Sequence, residues 1–247
     1  MTKYIPMNQL YDVHPAYMSR RDLDSEFRKK YLNEIDFWKI KYLAPLLNKR
    51  MEINTIVEVG SATGDLIGRF PINVPLQNRY GIDFSFNNIS AAEELYPEVN
   101  FYCGTFEKFV QEKGKNLSLD IVILSDILEH VKNDCELLKK AGDNSRYVLL
   151  NLPLEKCLRT VFRSYGERDL AGHLRAYSLK DAFRLIDCAK LKIMDYKVKY
   201  YCKESIYRKH FDDLDYSRLN SVAIRCIDNY LYKMFNVKNL FCLLVKK

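Results

Sequence analysis

Several short stretches of this chain hold residues of the right type and spacing for chemistry. Residues 58–64 read Glu-Val-Gly-Ser-Ala-Thr-Gly. The small residues Gly60, Ser61, Ala62 and Gly64 let a backbone turn pass close to a ligand, with Glu58 just before it. Asp83 closes Arg79-Tyr80-Gly81-Ile82-Asp83 and precedes Phe84. A carboxylate at such a place can accept two hydrogen bonds from a ribose diol. Thr105 and Phe106 follow a third apolar segment, and Ser125 and Asp126 a fourth. There are four histidines: His14, His130, His173 and His210. Histidine is the usual proton acceptor for a hydroxyl nucleophile.

The spacing excludes two nucleotide motifs. Gly60-Ser61-Ala62-Thr63-Gly64 does not supply Gly-x-Gly-x-x-Gly, and no Lys-Ser/Thr follows its last Gly as a phosphate loop requires. The surrounding pattern says which elements would position the turn. Ile56, Val57 and Val59 suit a buried parallel strand, and a helix begins near Asp65. Strand-like stretches within 79–85, 100–106, 119–131 and 146–153 alternate with helices over 64–70, 86–95, 105–113 and 127–141, which predicts a parallel sheet covered on both faces. Residues 20–47 and 178–189 also read as helical, 191–201 and 239–246 as strands, and 204–234 as a helical insert rich in Tyr. Ligands of such sheets sit beyond the carboxyl ends of the strands, where Glu58, Gly60, Asp83, Thr105 and Ser125 all fall.

These landmarks resemble class I S-adenosylmethionine-dependent methyltransferases. Glu58, Gly60, Ala62 and Gly64 match the family's Glu-x-Gly-x-Gly-x-Gly signature, with Ala62 in place of the middle Gly. Residues 119–131 resemble its fourth strand and following turn, ending Leu-Glu-His-Val. Ala171-Gly172-His173-Leu174-Arg175-Ala176-Tyr177-Ser178 resembles the segment bordering the substrate pocket in small-molecule members. The resemblance is strong over 53–153, weaker over 173–201 and absent over 1–50 and 203–236. It implies an α/β, Rossmann-like, seven-stranded mixed sheet, six strands parallel and one antiparallel, with a helical cover. The chain is then one domain: cover 1–50, cofactor core 53–153, substrate loop 154–177, and a C-terminal part 178–247 with the insert 203–236. S-adenosyl-L-methionine is the implied cofactor, held by Glu58, Gly60, Ser61, Ala62, Gly64, Asp83, Phe84, Thr105, Phe106 and Ser125. His173, then His130 and His14, are the candidates for base or acceptor contact.

The acceptor is less legible. Residues 1–150 carry a net −2 and residues 151–247 a net +9. Tyr165, Arg168, Arg175 and Tyr177 in the basic half could hold an anionic acceptor such as a sugar nucleotide, phosphorylated metabolite or envelope precursor. The basic residues are scattered, which does not indicate a nucleic-acid partner. The expected reaction is methyl transfer to oxygen, with nitrogen second. Asp126, Glu129 and His130, at i, i+3 and i+4, would share a helix face and with His173 could hold a divalent ion, as in RNA 2′-O-methyltransferases. That metal-assisted enzyme is one rival, a non-catalytic nucleoside-binding subunit another, and the expectation is that no metal is bound. No run of about 18 apolar residues predicts a membrane span. Seven Cys without Cys-x-x-Cys predict neither disulfide nor zinc site, and a reducing cytoplasm.

Overall fold

The computed structural model describes residues 18, 21–22, 25–47, 51–114, 117–166, 169, 171–200 and 237–247. His14, Arg168 and the expected insert 203–236 lie outside them.

Seven strands form one sheet: β1 Ile56–Val59, β2 Arg79–Asp83, β3 Asn100–Cys103, β4 Leu119–Ser125, β5 Ser145–Leu154, β6 Leu191–Tyr200 and β7 Lys238–Lys246. Their order is β3-β2-β1-β4-β5-β7-β6. β1 pairs in parallel with β2 and β4, and β7 runs antiparallel to both β5 and β6. Six strands are thus parallel and one reversed, as expected. β4 is buried along its whole length, with Ile121, Val122, Ile123 and Leu124 at 0% exposure. This is the composition of a central strand covered on both faces.

Five helices pack against the sheet: α2 Asp65–Arg69, α3 Phe86–Leu95, α4 Phe106–Glu112, α5 Asp134–Asn144 and α6 Leu179–Cys188. Before them comes α1, Glu26–Glu34, started by Ser25, whose hydroxyl accepts from Arg28 N. It runs on through a π-helical stretch, Ile35–Ile40, and ends in a 3-10 turn at Ala44–Leu46 where Pro45 sits. α1 is fastened to the core by a buried pair, Arg28 Nη2 to Asp65 Oδ1 at 2.6 Å. Tyr96 and Thr63 hydroxyls complete the Asp65 carboxylate.

Two expectations are corrected. The helix predicted over 127–141 starts only at Asp134; Ile127–Asn133 is a chain of turns. Asp126 has φ +52°, which a helix cannot continue through, and Leu174 N ties the Glu129 carbonyl to a distant loop at 2.8 Å. Asp126, Glu129 and His130 therefore do not share a helix face. The expectation of no disulfide also fails: Cys135 of α5 and Cys188 of α6 are bonded, Cα–Cα 6.2 Å. The two are 53 residues apart, so no local spacing announces them.

Candidate active site

β1 and β4 lie side by side while the chain leaves them in opposite directions, so the crevice of the fold opens above their carboxyl ends. Two adjoining cavities lie there, of about 230 and 340 Å³. Gly60, Asp83, Phe84 and Ile127 line both.

The smaller cavity is the more apolar. Val59, Ile82, Phe84, Phe106, Ile127 and Val131 form its walls, and Gly104 and Thr105 its edge. Thr105 caps α4, its hydroxyl accepting from Lys108 N at 3.4 Å. Phe106 is 3% exposed and packs into the core, while Phe84 is 40% exposed at the mouth. A flat heterocycle fits such walls.

Between the cavities stands the turn after β1. Gly60 has φ +76°, and a Cβ there would come within 2.7 Å of Ile127 Cδ1. The left-handed backbone favours glycine there, and a Cβ would also push on the Ile127 side chain. Ala62 holds φ +47°, a left-handed conformation that its methyl strains. Gly64, φ +75°, caps α2 and does not border the cavities. Ser61 lies beneath the turn, buried at 3%, its amide donating to Ile82 O. Neither Ser61 nor Gly64 reaches the cavity walls directly.

Asp83 accepts from Ala62 N and Ser85 N, each at 2.9 Å, so it fixes the turn that it faces. Burial raises its pKa, against these hydrogen bonds. Glu58 accepts from Ile67 N at 3.0 Å. Burial pushes its pKa up to about 8, against the pull of Lys39. Ser125 accepts from Asn151 Nδ2 at 3.0 Å.

The larger cavity extends over β4, β5 and β7. Tyr31, Glu34, Trp38 and Lys39 of the first helical stretch cover it, the last two from its π-helical part. Lys39 Nζ lies 2.8 Å from Asp126 Oδ2. Burial opposes its charge, but Asp126, Tyr31 and Glu58 outweigh burial and raise its pKa. Asp126 also accepts from Asn151 Nδ2 at 3.0 Å.

At the far end two imidazoles meet edge to face, His130 and His173, with centroids 4.7 Å apart. His173 Nδ1 is 2.7 Å from Glu155 Oε2, and Glu155 Oε1 accepts from Arg163 at 2.8 Å. Arg163 is itself clamped by Asp169, which also accepts from the His173 amide at 3.2 Å. Burial works to raise the Glu155 pKa, but His173 and Arg163 prevail and lower it. A carboxylate only accepts, so His173 carries its proton on Nδ1 and presents Nε2 to the cavity. His130 Nδ1 faces the Gly172 carbonyl at 3.2 Å, which assigns its proton likewise. Burial, then the neighbouring His173, lowers the His130 pKa to about 4. Glu129, 1% exposed, has its Oε2 without a hydrogen-bond partner. Burial, then Asp126, raises its pKa well above the usual range.

The other expected acceptor contacts are placed elsewhere. Arg175 pairs with Asp134 and donates to the Lys132 carbonyl at 2.7 Å. Tyr177 is buried, with its hydroxyl on Leu128 O and Asp134. Both brace the turns that carry Glu129 and His130. The Arg163 guanidinium lies over the Tyr165 ring, 5.0 Å from its centroid, and Tyr165 lines a different pocket that Glu155 also borders. Sequence reasoning missed Lys39, Trp38 and Glu155. The first two lie in a stretch without family resemblance, and Glu155 is paired with its histidine only by the return of the 155–173 loop.

The methyltransferase-domain family model matches residues 57–142, which hold the turn, Asp83, Thr105 and the Glu129-His130 segment. The chain thus carries a methyltransferase domain of the class I S-adenosylmethionine-dependent kind. No curated protein matches it significantly. Among solved structures it is similar to an S-adenosylmethionine-dependent methyltransferase from Archaeoglobus fulgidus, 14% identical, TM-score 0.59, over 92% of this chain and 98% of that one. Magnesium protoporphyrin IX methyltransferase from Synechocystis PCC 6803, with bound cofactor, gives 12%, 0.53, 93% and 89%. A Thermotoga maritima methyltransferase described as a possible histamine N-methyltransferase gives 15%, 0.55, 94% and 100%. At these identities the likeness is one of fold. The methyltransferase cofactor is S-adenosylmethionine. The glycine passage at Gly60, the apolar slot by Phe106 and the carboxylate of Asp83 are chemically suited to its backbone-hugging chain, adenine and ribose. No described helix is long and apolar enough to cross a membrane.

Proposed function

We propose that this methyltransferase acts on a hydroxyl oxygen of a small polar molecule, with His173 as the general base and Glu155 as the residue that orients it. One observation carries the reading. The His173–Glu155 pair, 2.7 Å apart, borders the same cavity as the cofactor turn, with Nε2 left as an acceptor. When bound, the cofactor supplies a methyl group already activated on a sulfonium. The chain's own part is to align the acceptor and take its proton. Glu155 holds the ring's tautomer and steadies the charge that arrives on it. Arg163 and Asp169 hold Glu155 in turn. Lys39 and Trp38 close the cavity over the acceptor.

An oxygen suits this arrangement better than an amine that is already nucleophilic, because a hydroxyl gains most from a positioned base. The expectation of an anionic acceptor finds less support. Arg163 and Arg175 are held by Asp169, Glu155 and Asp134, and Lys39 by Asp126. The test is a screen with methyl-labelled cofactor and polyhydroxylated small molecules, comparing the natural chain with His173→Ala. Label transfer to a hydroxyl that His173→Ala abolishes supports the proposal. Transfer unaffected by His173→Ala removes the base assignment.

A further inference from the structure

The larger cavity is lined by carboxylates: Glu34, Glu58, Asp83, Asp126, Glu129 and Glu155. Its one described lysine, Lys39, already faces Asp126. Most of these acids are engaged. Asp83 accepts at both oxygens, Asp126 from Lys39 and Asn151, Glu155 from His173 and Arg163. Glu129 is different. Its side chain is 2% exposed, and Oε2 has no hydrogen-bond partner although it borders the cavity. A buried carboxylate oxygen left unpaired is costly unless a ligand completes it.

Its neighbours say what that ligand is. Ligand atoms of Glu129, His130 and His173 all lie within 4.8 Å of one another. Both imidazoles use Nδ1 on protein acceptors and keep Nε2 toward the gap. The gap thus offers two neutral ring acceptors and a carboxyl group whose charge burial disfavours until a cation pairs with it. It opens into about 340 Å³, room for a molecule rather than an ion alone.

We propose that the acceptor is an amino alcohol: its protonated amine pairs with Glu129 while its hydroxyl, a few bonds away, is presented to His173. This inference rests on the reading of His173 as base, and it names the substrate class for that site. The ammonium supplies the donors that Glu129 Oε2 and His130 Nε2 lack. The same contact fixes which hydroxyl of the acceptor meets His173. Trp38, which lines the same cavity, adds an aromatic side chain of the kind that attracts a cation.

The test is calorimetry on the full chain loaded with S-adenosylhomocysteine, using matched probes: trans-2-aminocyclohexanol against trans-1,2-cyclohexanediol, and glucosamine against glucose. The amine-bearing member of each pair is expected to bind roughly ten- to a hundredfold more tightly. Glu129→Gln, which keeps the side chain's shape, should erase that preference and leave S-adenosylhomocysteine affinity intact; the latter also reports that the variant is folded. Equal binding within the pairs of the natural chain overturns the proposal and needs no variant. Lost S-adenosylhomocysteine affinity in a folded Glu129→Gln chain also overturns it, assigning Glu129 to the cofactor's own amine. So does stoichiometric uptake of Mn²⁺ or Zn²⁺ that requires Glu129. Methyl transfer separates the two readings. Neutral alcohols methylated on oxygen as fast as their amino partners keep the base and remove the cation site. Amine preference with the methyl on nitrogen keeps the cation site and removes the hydroxyl reading.

Discussion

His173 and Glu155 are 18 residues apart in the chain and 2.7 Å apart in space, Nδ1 to Oε2. The loop between them returns because Asp169 gathers Arg163, the Ala171 amide and the His173 amide. The result is an oriented imidazole at one end of the larger cavity, held by a carboxylate that is itself held.

That relationship separates turnover from cofactor binding. Glu155→Gln keeps the shape but weakens the hold on the imidazolium, so kcat should fall about 10- to 100-fold. His173→Ala should cost about 10²–10⁴-fold. Cofactor affinity, measured by calorimetry, should stay near that of the natural chain in both. A loss of cofactor binding as large as the loss of rate would place His173 on the cofactor instead.

Asp83 should act on the opposite half. Asp83→Asn keeps an acceptor oxygen for Ala62 N but gives up the charge offered to a diol. We expect S-adenosylhomocysteine to bind more weakly by about 1.5–3 kcal/mol, the range of charge-assisted hydrogen bonds. Circular dichroism should show the fold kept. Unaltered affinity would take Asp83 out of the site.

Ala62 is the family position where a methyl sits on a left-handed backbone, φ +47°. Ala62→Gly removes that strain, on the order of 1–2 kcal/mol, and adds back unfolded-chain entropy of about 0.4–1 kcal/mol. The variant should be as stable as the natural chain or up to about 1.6 kcal/mol more so, in urea unfolding. A clear destabilisation would mean that the methyl makes a contact worth more than its strain. Gly60→Ala should do the reverse, because φ +76° strains any residue with a Cβ, and that Cβ would also crowd Ile127.

His130 should leave a mark on acid stability. Its pKa is about 4 in the fold against 6.5 ordinarily, so the unfolded chain takes up the proton more readily. Its contribution is fully present above pH 6.5 and is lost as pH falls to about 4. The amount is on the order of 3 kcal/mol. Glu58, with a pKa near 8 against 4.5, has the opposite sign: its contribution is present below 4.5 and lost as pH rises through 8. The measurement is therefore the difference between the natural chain and His130→Asn, followed by urea unfolding from pH 4 to 7. A difference that does not vary with pH would show that His130 is not buried as a neutral ring.

The sequence by itself determined the sheet and which residues gather at the carboxyl ends of its strands. The β-branched runs at 56–59 and 119–125 and the small-residue turn at 60–64 are local, and local pattern suffices because each strand carries its own ligand-facing tip. The place of Asp83, Thr105 and Phe106 at those tips was legible for the same reason. Helical spacing misled at 127–133, because the left-handed Asp126 and the Leu174–Glu129 bond impose turns that no periodicity records. The acceptor half was decided by tertiary structure. Lys39 meets Asp126, Glu155 meets His173 and Cys135 meets Cys188 across 87, 18 and 53 residues, and each pair exists only where separate elements converge. The charge of the acceptor pocket was decided there too. A sequence counts arginines and carboxylates, but which of them cancel and which carboxylate oxygen is left facing the cavity depends on who is packed beside whom.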